Sequence, residues 1–163
     1  MYTKHDNYLS LFTFVKNHTV MSILQSIHSY WAYVVLAILV FAIVNAFIGR
    51  FSNKTFAIKD LRISLFALIV THIQLVIGLV LYFLSPRFSA WQEGVGAVMG
   101  DPTLRLYLVE HPVTNVIAIV LITMGWSMHK RQGESSKKFL RIGLFYFFGL
   151  LLLLSRIPWS VWP

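Results

Sequence analysis

The chain has no cysteine. This excludes disulfides, iron–sulfur clusters, thiolate metal sites and cysteine nucleophiles. Acidic residues are nearly as scarce, with 6 Asp and Glu against 14 Lys and Arg. Charged residues of both signs make up only 12% of the chain, against roughly a quarter in soluble domains. There is no nucleotide-binding glycine loop, no His-Glu-x-x-His zinc motif and no nucleophile–base pattern. Barrel-type alternation is missing too, and an open strand edge could not be satisfied in lipid.

What is present is hydrophobic. Apolar residues form 57% of the sequence, and they gather into four runs at about 27–49, 63–84, 104–128 and 139–157. Each is long enough to cross a hydrocarbon core of roughly 30 Å as a helix. The expected fold is an all-α integral membrane four-helix bundle with up-down-up-down topology, formed by residues 21–163. Residues 1–20 read as an N-terminal extension. Its apolar patch, 9–15, is too short to span, no small-residue cleavage site follows it, and neither His5 nor His18 is given a role. Met21 is an alternative start.

The net charge of +8 sits between the runs. The first loop carries Arg50, Lys54, Lys59 and Arg62, and the third carries Lys130, Arg131, Lys137, Lys138 and Arg141. In the second loop Arg87 and Arg105 are balanced by Glu93, Asp101 and Glu110. Positive loops stay in the cytoplasm, so the second loop and both termini are predicted to face outward. This distribution argues for a lipid bilayer, with its anionic head groups, as the partner and against nucleic acid. The chain is expected to cross its membrane several times. The long second loop has two readings, a lid over the outer surface and a plain interfacial loop.

An ionisable residue within a membrane segment is costly without a partner and marks a candidate site. His28, His72 and His111 qualify. Counting rise along the helices puts His28 and His111 at similar heights near the outer face and His72 near the middle. The first and third helices of such a bundle lie diagonally across its core, where two imidazoles could hold one metal. Helical steps from His28 pass Ala32, Val35, Leu39, Ala42, Ala46 and Gly49. Those from His111 pass Asn115, Ala118, Ile122, Gly125 and His129. Small-residue stripes of this kind mark helix contacts and leave room for a flat cofactor. The polar and small stripe of the second helix is Ser64, Ala67, Thr71, Gln74, Gly78, Tyr82 and Ser85, and His72 lies about 100° off it. The alternatives are outer-boundary histidines wetted by solvent, and for His72 a hydrogen bond across to another helix. Arg156 and Arg105 lie on the histidine side and suit the two carboxylates of a haem. They could equally snorkel to head groups or pair with Glu110 or Asp101.

The segments His28-Ser29-Tyr30-Trp31, Thr71-His72-Ile73-Gln74-Leu75, Glu110-His111-Pro112 and Ser155-Arg156-Ile157-Pro158-Trp159 resemble a small bacterial four-helix membrane family commonly labelled cytochrome b. The likeness runs from Met21 onward. A looser one extends to b561-type cytochromes, haem A synthase halves and copper-resistance membrane proteins. The resemblance implies haem b as cofactor, with His28, His111 or His72 as ligands and Arg156 or Arg105 on the carboxylates. It implies an electron carrier that exchanges electrons with a quinone or a redox partner protein. Two other functions stand beside it. One is a copper or zinc site on the three histidines, with Glu110 as a further ligand. The other is a non-catalytic subunit of a larger membrane complex.

Overall fold

The structure, a computed structural model, describes the backbone of residues 4–162 and side chains from residue 19 onward. His5, His18 and most of the predicted N-terminal extension therefore lie outside the described side chains. The elements are α1 (Lys4–Phe51), α2 (Ile58–Leu84), a 3-10 helix (Pro86–Glu93), α3 (Val95–Gly100), α4 (Pro102–Arg105), a π-helical turn (Leu106–Glu110), α5 (His111–His129) and α6 (Ser135–Ser155). Among the described residues there is no strand. Four helical stretches are long and apolar enough to cross a membrane: Thr19–Phe51, Ile58–Leu84, Pro102–His129 and Ser135–Ser155.

Two helices begin before their hydrophobic runs. α2 starts at Ile58 and α6 at Ser135, so Lys59, Asp60 and Arg62, and Lys137 and Lys138, form helical first turns. Hydropathy marks only the lipid-immersed part of a helix, whereas Lys and Arg are good helix formers and carry the helix into the interface.

α1 packs against α2 and α6, and α5 packs against the same two, which leaves α1 and α5 diagonal. Leu39, Ala42 and Ala46 of α1 meet Ala67 of α2, Ile122 of α5, and Ile142 and Tyr146 of α6 in the core. Small residues bring the axes together. A Cβ on Gly149 would lie 2.6 Å from Ile122 Cγ1, and one on Gly125 would lie 2.6 Å from Phe145 Cβ. The Tyr146 hydroxyl, buried in this core, donates to the Ser64 carbonyl at 2.9 Å. Large apolar side chains including Phe41, Ile48, Phe66, Val76, Val120 and Phe148 point outward and are exposed. A continuous apolar exterior is out of place in water and is the surface that lipid solvates.

At the end predicted to be cytoplasmic, Asp60 is fully buried. Its carboxylate accepts from Lys54 Nζ (2.8 Å), Asn45 Nδ2 (3.0 Å) and the Ala57 amide (3.0 Å). His129, at the boundary by sequence, is buried between the rings of Phe56 and Trp126.

At the opposite end the second loop folds into a cap. Pro86 opens the 3-10 helix. Gly94, with φ of 99°, makes the turn into α3 in a conformation that L side chains rarely adopt. Ala90, Val98 and Leu108 form a separate apolar cluster under Tyr82 and Trp91. Trp91 Nε1 donates to the Tyr82 oxygen (3.1 Å), and the Tyr82 hydroxyl donates to the Leu108 carbonyl (3.3 Å). That carbonyl needs a donor because residue 112, four positions on, is a proline with no N–H. The helix adapts with the π-helical turn, in which the His111 amide bonds the Leu106 carbonyl.

Candidate functional site

A cavity of about 430 Å³ opens in the half of the bundle next to the cap, in the size range of small-molecule and cofactor sites. All four long helices and the cap contribute to it. The α2 stripe supplies Thr71, Gln74, Gly78, Tyr82 and Ser85. α1 supplies His28, Ala32 and Val35, and α5 supplies His111 and Asn115. Arg87 stands at the cap side, and Trp162 closes the C-terminal side.

His28 and His111 meet here. Their ring centroids are 6.2 Å apart with the planes at 72°. Both stripes drawn from them are core-facing: Val35, Leu39, Ala42, Ala46 and Gly49 are buried on α1, and Ala118, Ile122, Gly125 and His129 on α5. Because α1 and α5 are diagonal, the two rings approach across the bundle and not along a helix contact.

The hydrogen bonds around His111 fix its tautomer. One ring nitrogen, Nδ1, is 2.8 Å from the Arg156 carbonyl, which can only accept. Nδ1 therefore carries the proton. Nε2 then presents its lone pair, on which Asn115 Nδ2 donates at 3.0 Å. His28 is held differently. Gln74 Nε2 donates to its backbone carbonyl (3.0 Å), and Trp31 Nε1 donates to the Val70 carbonyl nearby (3.2 Å). These bonds pin α1 to α2 at this level and leave the ring free. A Cβ at Gly78 would sit 3.1 Å from His28 Cε1, so the glycine makes space for the imidazole.

Three buried polar atoms around this cavity have no hydrogen-bond partner among the described residues: His28 Nδ1, Gln74 Oε1 and Asn115 Oδ1. Such groups are rare, and each costs free energy when buried unpaired. All three residues line the one cavity, while a fourth such atom, His129 Nδ1, lies at the other end of the bundle.

The other sequence candidates lie elsewhere. The ring of His72 bonds the Leu68 carbonyl through Nδ1 (2.8 Å) and approaches Thr123 Oγ1 through Nε2 (3.4 Å). It faces a groove between α2 and α5 and not the cavity. No group of three His, Cys, Asp or Glu side chains able to hold a metal is assembled among the described residues. The three histidines, with or without Glu110, therefore do not converge. Arg105 and Arg156 both turn to Glu110, with Nε–O distances of 3.0 and 3.4 Å. Neither lines the cavity, and the pairing with Glu110 anticipated as an alternative is the one found. Arg156 contributes through its main chain, whose carbonyl sets the His111 tautomer.

Sequence reading missed Arg87, which the helical cap delivers to the cavity. It also gave no separate role to Asn115 and Gln74, though both lie on the stripes drawn from the histidines. Their position one helical turn from His111, and two residues after His72, was the available signal.

Comparison of the chain with family models, with curated proteins and with solved structures gave no match. The functional reading rests on the geometry of the cavity.

Proposed function

We propose that this chain is a membrane b-type cytochrome-like protein that binds haem b between His28 and His111 and passes electrons at the outer side of a bacterial inner membrane. The observation that carries the reading is the 6.2 Å separation of the two rings. Both rings border one cavity from diagonal helices, so two imidazole nitrogens turned into it would hold one iron between them. The donor set fits as well. Two neutral imidazoles are standard axial ligands of haem iron, and the backbone bond to His111 Nδ1 is the kind of outer contact that orients a ligating histidine. The unpartnered His28 Nδ1 and the space at Gly78 fit a ring positioned for a guest.

Haem, when bound, supplies reversible one-electron chemistry at its iron. The protein's part is to hold and tune. His28 and His111 would hold the haem iron. Apolar residues such as Leu36, Leu79 and Ile119 exclude water from the cavity wall and lower the local dielectric, which sets the potential. Asn115, which bonds His111 Nε2 in this structure, has to release that nitrogen before it can ligate. Exchange with a membrane quinone or a redox partner protein would take place at the outer rim.

The test is the absorption spectrum of the full chain purified after expression with ample haem. A Soret band that shifts on reduction, with resolved α and β bands, is expected. A colourless protein would overturn the reading, and metal analysis of that sample would then identify a copper or zinc site.

A further inference from the structure

We propose that Arg87 is the carboxylate anchor of this cavity, taking the role that sequence reading assigned to Arg105 and Arg156. The proposal rests on the haem reading and assigns the anionic end of the same site. Among the residues lining the cavity, Arg87 is the sole Lys or Arg, and no Asp or Glu stands with it. It is therefore the one cation on that wall available to an anionic group of a ligand.

The geometry around Arg87 is set in advance. Pro86 begins the 3-10 helix, and the Arg87 amide donates to Ser85 Oγ at 3.3 Å, which fixes the backbone. The guanidinium carbon lies 4.5 Å from the centroid of the Tyr107 ring. A guanidinium resting on an aromatic ring keeps N–H donors available, and two of them can bond one carboxylate in parallel. None of the ion pairs among the described residues involves Arg87. The other two outer arginines are occupied by Glu110.

Arg87 is also exposed, at the outer end of the cavity, whereas the histidines sit deeper. A haem carries both its carboxylates on one edge. With His28 and His111 holding the haem, Arg87 would be the cation on the cavity wall available to that edge. The shared chemistry is an anionic oxygen group, and a phospholipid phosphate could supply it as well as a haem carboxylate.

The experiment separates these sources. Purified full-length protein in an uncharged detergent, without added phospholipid, is titrated with haem b and with its dimethyl ester, in which both carboxylates are masked. Wild type is expected to bind haem about tenfold or more tighter than the diester, the scale of a charge-assisted bidentate pair. Arg87→Gln should weaken haem alone and bring the two affinities within about threefold, with Arg87→Lys between them. Arg105→Gln should keep the wild-type ratio. An unchanged ratio in Arg87→Gln overturns the proposal. So does a wild-type preference for haem that disappears when anionic phospholipid is added, because the arginine is then a head-group site. Wild type that binds neither compound overturns the haem reading itself, a result distinct from the other two. Matching thermal unfolding of the variants excludes a folding defect as the cause.

Discussion

The Nδ1 of His111 donates to the carbonyl of Arg156 at 2.8 Å, joining the first turn of α5 to the residue that ends α6. One main-chain acceptor thereby decides which nitrogen of a membrane-embedded histidine carries the proton. It leaves Nε2 as the nitrogen with a lone pair to offer. The arrangement depends on the α6 terminus being held in place, and the Arg156–Glu110 pair contributes to that hold.

His72 is turned away from the cavity in this arrangement: its Nδ1 donates to the Leu68 carbonyl, and its Nε2 lies 3.4 Å from Thr123 Oγ1 on α5. His72→Ala is expected to leave the absorption spectrum and haem content at wild-type values. It should lower stability by about 1 kcal/mol, the net worth of an ordinary hydrogen bond. Spectra and thermal unfolding of the purified variant check both parts. Loss of the haem bands would place His72 among the ligands.

Gly78 makes the space for His28. Gly78→Ala should cost haem affinity about 1–3 kcal/mol, because the added methyl crowds the ring edge. It should not cost fold stability, since alanine favours the helix over glycine by about 1 kcal/mol. Haem titration beside thermal unfolding separates the effects. A variant that binds haem as tightly as wild type would mean the glycine serves only helix packing.

Tyr82→Phe removes the hydroxyl that supplies the Leu108 carbonyl and accepts from Trp91. Two polar groups lose their partner, at a cost of about 1–3 kcal/mol each where they stay buried. The expected consequence is local. Hydrogen exchange should accelerate across residues 86–100, which form the cap, while the core of α6 is unchanged. Uniform acceleration throughout the bundle would contradict the view of the cap as a unit of its own.

Much of the bundle was legible in the sequence, and the reasons differ between residues. The four spans follow from run length. The inward faces of α1 and α5 follow from the small-residue stripes through His28 and His111, and the α2 stripe from Gln74 to Ser85 lines the cavity as its spacing implies. The pairing of His28 with His111 followed from depth counting and the diagonal of the bundle. Arg87 was not legible, because its placement depends on how the second loop folds, and periodicity says nothing about a 3-10 helix and a short cap. The role of Arg156 was not legible either. Its side chain drew attention, while its carbonyl makes the contact that matters. The helical start of α2 at Ile58 was hidden because hydropathy stops where the charged turn begins.

The most direct test of the central claim is haem stoichiometry, measured per chain in purified wild type, His28→Ala and His111→Ala. The account predicts one haem per wild-type chain and a loss of haem, or of the spectrum of two axial histidines, in each variant. Wild type without haem, or both variants with an unchanged content and spectrum, would contradict it.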